Sequence, residues 1–297
     1  MMLAFGCLPY RLRFAGIETY NKMKYPKFSL VLLSASVLLI SSCGGGEEEH
    51  STAPKYNFEK ADSLPSGYLE ELGIVKTNIE VTAKLYQHMN EKGYAFNESF
   101  LLSPSKSFSG SSKQAMGIGA IGSDLIFAAS FGQNQSAMDR MKGLLGAAGS
   151  LGVAEAFDEE LMSKMVSDDS TINKSVLLTK AYLKAKDQLF SEERAQYATF
   201  MIIGGWIEGL HVSCQMLKGD LKDNEIKLGF WEMVSSIESV QHLCRVFESN
   251  AEMTKLGEDL KTLNPLLMPI KKHAKKYKVE DVAALADAVA ELRNSHI

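Results

Sequence analysis

Glu208 and His211 stand three residues apart in the most apolar stretch of the helical part of the chain, Tyr197 to Leu217 (YATFMIIGGWIEGLHVSCQML). An E-x-x-H pair on a helix puts a carboxylate and an imidazole on one face, the spacing that di-iron carboxylate bundles use. Glu208 is the one formal charge in this run. Such bundles need a second E-x-x-H and two further carboxylates, and no second E-x-x-H occurs after Gly67. Glu238 and His242, four apart on the next helical stretch, could supply ligands. In an antiparallel hairpin turning near residue 221, however, His242 would sit about 16 Å from the level of His211 at 1.5 Å per residue. A metal held by Glu208 and His211 would therefore need help from distant helices. The competing expectation is a buried acid satisfied by a Tyr, a Lys or a backbone donor, because buried acids are normally paired.

Asp124 is the other acid in apolar helical sequence (GAIGSDLIFAAS). Together with Glu208 it could line an internal polar pocket with raised pKa values, a place to look for chemistry. The plainer expectation is that the two acids fix helix register through hydrogen bonds. No nucleophile accompanies them: no Ser-His-Asp order and no Cys–His pair stands out, so no catalytic residue is assigned and no cofactor is expected beyond the metal just considered. Cys7 and Cys43 precede the helical region, leaving Cys214 and Cys244. The same hairpin count separates these two by about 22 Å, against the roughly 7 Å between Cα atoms that a disulfide tolerates. They are expected to be unpaired, buried thiols.

Gly117-Ile118-Gly119-Ala120-Ile121-Gly122 is a literal G-x-G-x-x-G. Dinucleotide binding requires a strand before it and a helix opening after it. The preceding SFSGSSKQAM is polar and serine-rich, and the glycines fall inside a helical hairpin whose second arm carries Gly143, Gly146, Gly149 and Gly152. Close helix packing explains both sets without a nucleotide. In the central stretch, Gly204, Gly205 and Gly209 each cost about 1 kcal/mol against alanine, which points to a neighbouring backbone coming close. Lys271, Lys272, Lys275, Lys276 and Lys278 surround His273. They read as a patch for anionic lipid or polysaccharide, or more simply as cations at a helix C-terminus.

These residues sit on helices. From Gly67 onward apolar periodicity is helical and no strand is evident. Helices are expected over 68–91, 113–131, 136–151, 155–166, 171–190 (capped by Ser170), 192–217, 224–247 (capped by Asp223), 252–263, 266–278 and 280–293, with 97–112 a loop. The run 192–217 is expected to be the central helix that others wrap. The hairpin 113–151 has the size of a tetratricopeptide unit, but three successive units at a fixed period are absent. The expected fold is all-α, a single irregular multi-helix bundle of αα-hairpins over residues 67–297. Hydrophobic content of 45% and charged content of 23% suit a globular chain of 297 residues.

Ahead of that domain lies an address. Met23-Lys24-Tyr25-Pro26-Lys27 is a basic region, Phe28 to Ile40 an apolar core, and Ile40-Ser41-Ser42-Cys43 follows directly. The apolar run is shorter than the ~20 residues of a membrane span and has signal-peptide length. The order resembles the lipobox leader of bacterial lipoproteins, in which the cysteine thiol receives a diacylglycerol. Residues 1–42 are thus expected to be a signal peptide with Met23 as the true start. Residues 43–66, beginning Cys43-Gly44-Gly45-Gly46-Glu47-Glu48-Glu49, are expected to be a lipid-anchored acidic tether. The acids after the cysteine resemble the export signal of surface-displayed lipoproteins. Removing the leader's five cations and one acid leaves 27 cations and 35 acids, a net charge near −8 instead of −4. That argues against general nucleic-acid binding.

Leader, tether, Ala120-Ile121-Gly122-Ser123-Asp124-Leu125 and Gly204-Gly205-Trp206-Ile207-Glu208-Gly209-Leu210 together resemble a family of uncharacterised all-helical lipoproteins of Bacteroidetes. The likeness implies an outer-membrane lipoprotein, facing the periplasm or the surface, and an all-helical fold; it implies no activity. It also implies that the position of His211 is often aromatic, which weighs against a metal. The expected function is a non-enzymatic binding or scaffold module, joined to the membrane through Cys43 and meeting an envelope protein or a small ligand. The alternatives are a metal or cofactor binder using Glu208, His211 and Asp124, and, less supported, a hydrolase built on the acid pair.

Overall fold

The glycines of the two apolar helices decide the architecture. In the computed structural model, which describes residues 67–297 apart from 166, 168, 170, 191–193 and 222, helix α2 (Ser111–Ser130) packs most extensively on α6 (Ala195–Leu217). A Cβ on Gly119 would lie 1.8 Å from the Met201 carbonyl oxygen, and one on Gly204 would lie 2.2 Å from that of Met116. Gly205 faces the Gly119 carbonyl, and Gly209 faces Ser123. Residue numbers rise together along both helices, so α2 and α6 run parallel in backbone contact. The close approach expected at Gly204 and Gly205 is therefore present, and it comes from α2.

The hairpin partner α3 (Asn134–Leu151) does not use its glycines in this way. Gly143 makes only ordinary contacts, and Gly146 and Gly149 face open space. The expectation that the two glycine sets of the hairpin explain each other is thus corrected: Gly117, Gly119 and Gly122 serve other elements. Gly117 receives the Phe108 ring and Gly122 the Tyr182 hydroxyl, which donates to the Ile118 and Gly119 carbonyls (3.1 and 3.2 Å). Gly152, with φ of 76°, ends α3 in the left-handed conformation that glycine adopts most easily.

The remaining helices wrap this pair. They are α1 (Tyr68–Glu91), α4 (Glu159–Met165), α5 (Lys174–Leu189), α7 (Asn224–Ser235), α8 (Ile237–Val246), α9 (Ala251–Lys261), α10 (Asn264–Lys272) and α11 (Val279–His296). No strand occurs among the described residues, and the fold is an all-α multi-helix bundle. None of these helices is long and apolar enough to cross a membrane. Asp223 caps α7 as expected, accepting from the Glu225 and Ile226 amides (2.8 and 3.1 Å). Asn173 caps α5. Ser170, the residue expected to do so, and the whole leader, Cys43 and tether lie outside the described residues.

Two expectations fail for physical reasons. The single helix expected over 224–247 is broken at Ser236. Its hydroxyl donates to the Met233 carbonyl (2.8 Å) and receives Asn78 Nδ2 (2.6 Å) and Trp206 Nε1 (2.9 Å). A serine bonded back to its own helix competes with the backbone ladder, and here two buried donors reward the break. Nor do α6 and α7 form a tight hairpin, since α6 packs mainly on α2 and α11 while α7 packs on α1. Cys214 and Cys244 are nevertheless free and buried, and burial pushes the Cys244 thiol up to about 12.

Gly119→Ala is expected to destabilise the fold by about 3 kcal/mol or more, because backbone must move to admit the methyl. Gly146→Ala, exposed in a helix interior with nothing near its Cβ, is expected to stabilise by about 0.4–1 kcal/mol. Urea denaturation of both variants checks the contrast.

Candidate functional site

The register of the α2–α6 contact carries Asp124 to Glu208. Both acids are fully buried. They lie next to each other, each the chain neighbour of a residue in the Ser123–Gly209 contact. The sequence points to an internal polar pocket lined by the two acids; the structure places the acids side by side, and the groups around them show what they do.

Glu208 is taken by an arginine. Arg293 of α11 donates through Nε to Oε2 and through Nη2 to Oε1, both at 2.6 Å. This bidentate pair uses both carboxylate oxygens in the fixed geometry that guanidinium provides. The expected partner was a Tyr, a Lys or a backbone group, and the correction follows from the length and forked shape of arginine on a helix far away in sequence.

Asp124 has a second arginine nearby. Arg140 of α3 is almost fully buried, with Nε 3.9 Å from Asp124 Oδ2. Its Nη1 donates to Ser136 Oγ (2.7 Å) and pairs with Glu98 (2.7 Å). The two residues hold the backbone of Leu102 between them, one on its amide and one on its carbonyl. The Leu102 amide donates to Asp124 Oδ2 (2.8 Å), and the Leu102 carbonyl accepts from Arg140 Nη2 (3.3 Å). The irregular segment between α1 and α2 is thereby pinned to the core by charged groups.

Burial raises the Asp124 pKa well above the usual carboxylate range, and the neighbouring Glu208 charge raises it further. The Leu102 amide and Arg140 oppose this without cancelling it. The shift favours the neutral form of Asp124 beside the Glu208 carboxylate. Arg293 is matched to Glu208 and Arg140 to Glu98 at the surface, so each buried guanidinium has a carboxylate partner, as buried charge requires.

His211 lies beside this pair. Its imidazole donates to the Phe100 carbonyl, which also accepts from Arg293 Nη2 at 3.5 Å, and its Nδ1 has no partner. Burial, then the Arg293 charge, hold its pKa down to about 4, so the ring is neutral at physiological pH.

This donor set does not fit a metal ion. Glu208 is occupied at both oxygens by the Arg293 guanidinium, and Asp124 Oδ2 already accepts from the Leu102 amide. Among the described residues no group of three or more His, Cys, Asp or Glu side chains is placed to hold one. Glu238 and His242 are drawn elsewhere, Glu238 to Lys271 and His242 to Glu71 of α1 (3.1 Å). Of the basic patch, Lys271 and Lys272 occupy the last turn of α10, where cations offset the helix dipole. The G-x-G-x-x-G lies wholly inside α2, with no strand before it, so it lacks the context of a dinucleotide site.

Arg293, Arg140 and the Leu102 peptide are the members of the cluster that residue spacing did not point out. For Arg140 a signal exists: it falls on the buried stripe Ala137, Met141, Leu144 and Ala148 of α3. An arginine on an apolar stripe announces a buried acid. Compared with known proteins, the chain matches no family model, no curated protein and no solved structure.

Glu208→Gln is expected to cost about 3–5 kcal/mol, the range for stranding one partner of a buried ion pair, as read by chemical denaturation. Between pH about 4 and 6.5 the unfolded chain binds a proton at His211 that the folded chain refuses. His211 therefore lowers stability as pH falls through that window, and His211→Phe should flatten the decline. Asp124 acts in the opposite sense. Its stabilisation is complete below its unfolded pKa of about 3.9 and is lost as pH rises from there through its raised folded value, so Asp124→Asn should remove that loss of stability with rising pH.

Proposed function

We propose that the chain is a lipid-anchored cell-envelope module whose helical domain binds or scaffolds a partner and carries out no chemistry at its interior acids. The observation that carries this reading is the Arg293–Glu208 pair: the acid best placed for chemistry has both oxygens committed to a structural arginine. Asp124 and Arg140 are committed in the same way, to the Leu102 peptide. What remains for function is the outer surface of the bundle and the address ahead of it.

That address is the lipobox-like Ile40-Ser41-Ser42-Cys43 behind a basic and apolar leader. On this reading Cys43 carries the lipid, residues 43–66 form the tether, and the domain works at the outer membrane, facing the periplasm or the outside. The acidic balance of the mature chain suits a protein or small-ligand partner over nucleic acid.

Metabolic labelling with a fatty acid is expected to mark the wild-type chain and not Cys43→Ser, with the variant leaving the membrane fraction. Label retained by Cys43→Ser would sink the anchor. The binding role is tested separately, by elemental analysis of the purified chain: stoichiometric metal that disappears in Glu208→Gln would return the site to chemistry.

A further inference from the structure

The surface between α1, α5 and α6 is shaped for a ligand. A groove of about 270 Å³ runs between Leu69 and Leu72 on α1, Leu183 on α5 and Ile202 on α6, with Ile79 and Tyr182 at its inner end. Its volume is near the lower edge of small-molecule pockets, about 300–1,000 Å³. Of the five large apolar side chains exposed among the described residues, two, Leu69 (55%) and Ile74 (43%), lie on this part of α1. An apolar surface left open next to an apolar groove marks a binding site more often than scattered apolar residues do.

The two ends of the groove differ. Inward, Ile79, Tyr182 and Ile202 also border an internal cavity of about 20 Å³, whose other walls include Asn78, Thr82 and Ser123. That space holds about one water, so the groove goes no deeper than its inner end. Lys186, one turn beyond Tyr182 on α5, is the one charged side chain among the described residues lining the groove. Its ammonium lies over the Phe190 ring (5.3 Å) and beside the exposed Asp187 carboxylate (2.9 Å). A surface pair of this kind is weak and exchangeable, which leaves the lysine able to meet another anion.

A narrow apolar groove, blind at its inner end and carrying a single cation, matches one ligand chemistry. We propose that it binds one fatty acyl chain with an anionic head, the chain lying along Leu69, Leu72 and Ile202 and the head meeting Lys186. This deepens the binding role proposed above and rests on it, but it does not need acylated Cys43.

Gly73 provides the test. It lies in the groove, adopts ordinary helical φ, and a Cβ there would meet nothing within 4 Å. Gly73→Leu therefore fills the groove without disturbing the core, and it favours helix. The full chain in phospholipid nanodiscs is irradiated with a diazirine-bearing fatty acid, and cross-links are mapped by mass spectrometry. The expected result is saturable labelling of α1 and α5 around the groove, displaced by unlabelled fatty acid. Labelling should weaken about tenfold in Gly73→Leu, and Lys186→Gln should erase the preference for a fatty acid over the matching alcohol. No saturable labelling there, or labelling unchanged in Gly73→Leu, overturns the proposal. A third outcome also overturns it: labelling seen only in Cys43→Ser would mean that the lipid on Cys43, 24 residues ahead of Gly67, already fills the groove. A wild-type chain that takes up no metabolic label, with labelling of the groove intact, would strike the anchor alone.

Discussion

Backbone contact between α2 and α6 is the constraint from which the rest follows. Helices with ordinary side chains at their crossing stand 8–10 Å apart. Here Gly119, Gly204 and Gly205 remove the side chains, and carbonyl oxygens of one helix occupy the space where Cβ atoms of the other would be. Such a contact has little tolerance for sliding, because a Cβ moved into either notch would meet backbone at 1.8–2.2 Å. The register is therefore set to within a residue, and that register decides which side chains meet farther along. Asp124 reaches Glu208 because Met116 meets Gly204 two turns earlier along α2 and one turn earlier along α6.

A close-packed pair of apolar helices would be expected to exclude charge, yet five ionisable groups gather at its edge. Two buried arginines each meet a carboxylate, Arg293 the buried Glu208 and Arg140 the exposed Glu98, with Asp124 between them. Burying such a set seldom adds net stability, since desolvation consumes much of the attraction. What it adds is specificity of arrangement. Arg293 ties the closing helix to the central one, and Asp124 with Arg140 ties the irregular segment at Leu102 to both hairpin arms. The polar interior thus supplies connections that apolar packing, which is non-directional, would leave undetermined.

This division of labour shapes the functional reading. The acids that looked suited to chemistry hold elements together, while the open apolar groove beside Tyr182 lies where α5 crosses α1 and α6. Tyr182 serves both regions. Its hydroxyl fills the notch left by Gly122 and anchors α5 to α2, while its ring borders the groove. A ligand in the groove would contact the same helix that the glycine notch positions.

The sequence alone determined the helical class, most helix positions and the existence of an unusual central helix, because these depend on local periodicity, caps and composition. Asp223 could be read as a cap from its neighbours, and α1 from its stripe, since both are decided within one or two turns of chain. The need for close approach at Gly204 and Gly205 was also legible, because glycines in a helix interior carry a cost that packing must offset. Only the tertiary structure decided which backbone comes close, that Arg293 claims Glu208 from 85 residues away, and that Ser236 breaks a run that looks continuous. Each of these is settled by a partner distant in sequence. Local spacing can show that a buried acid or a bare glycine needs a partner, but the partner's identity depends on helix register and crossing, which exist only once the chain has folded.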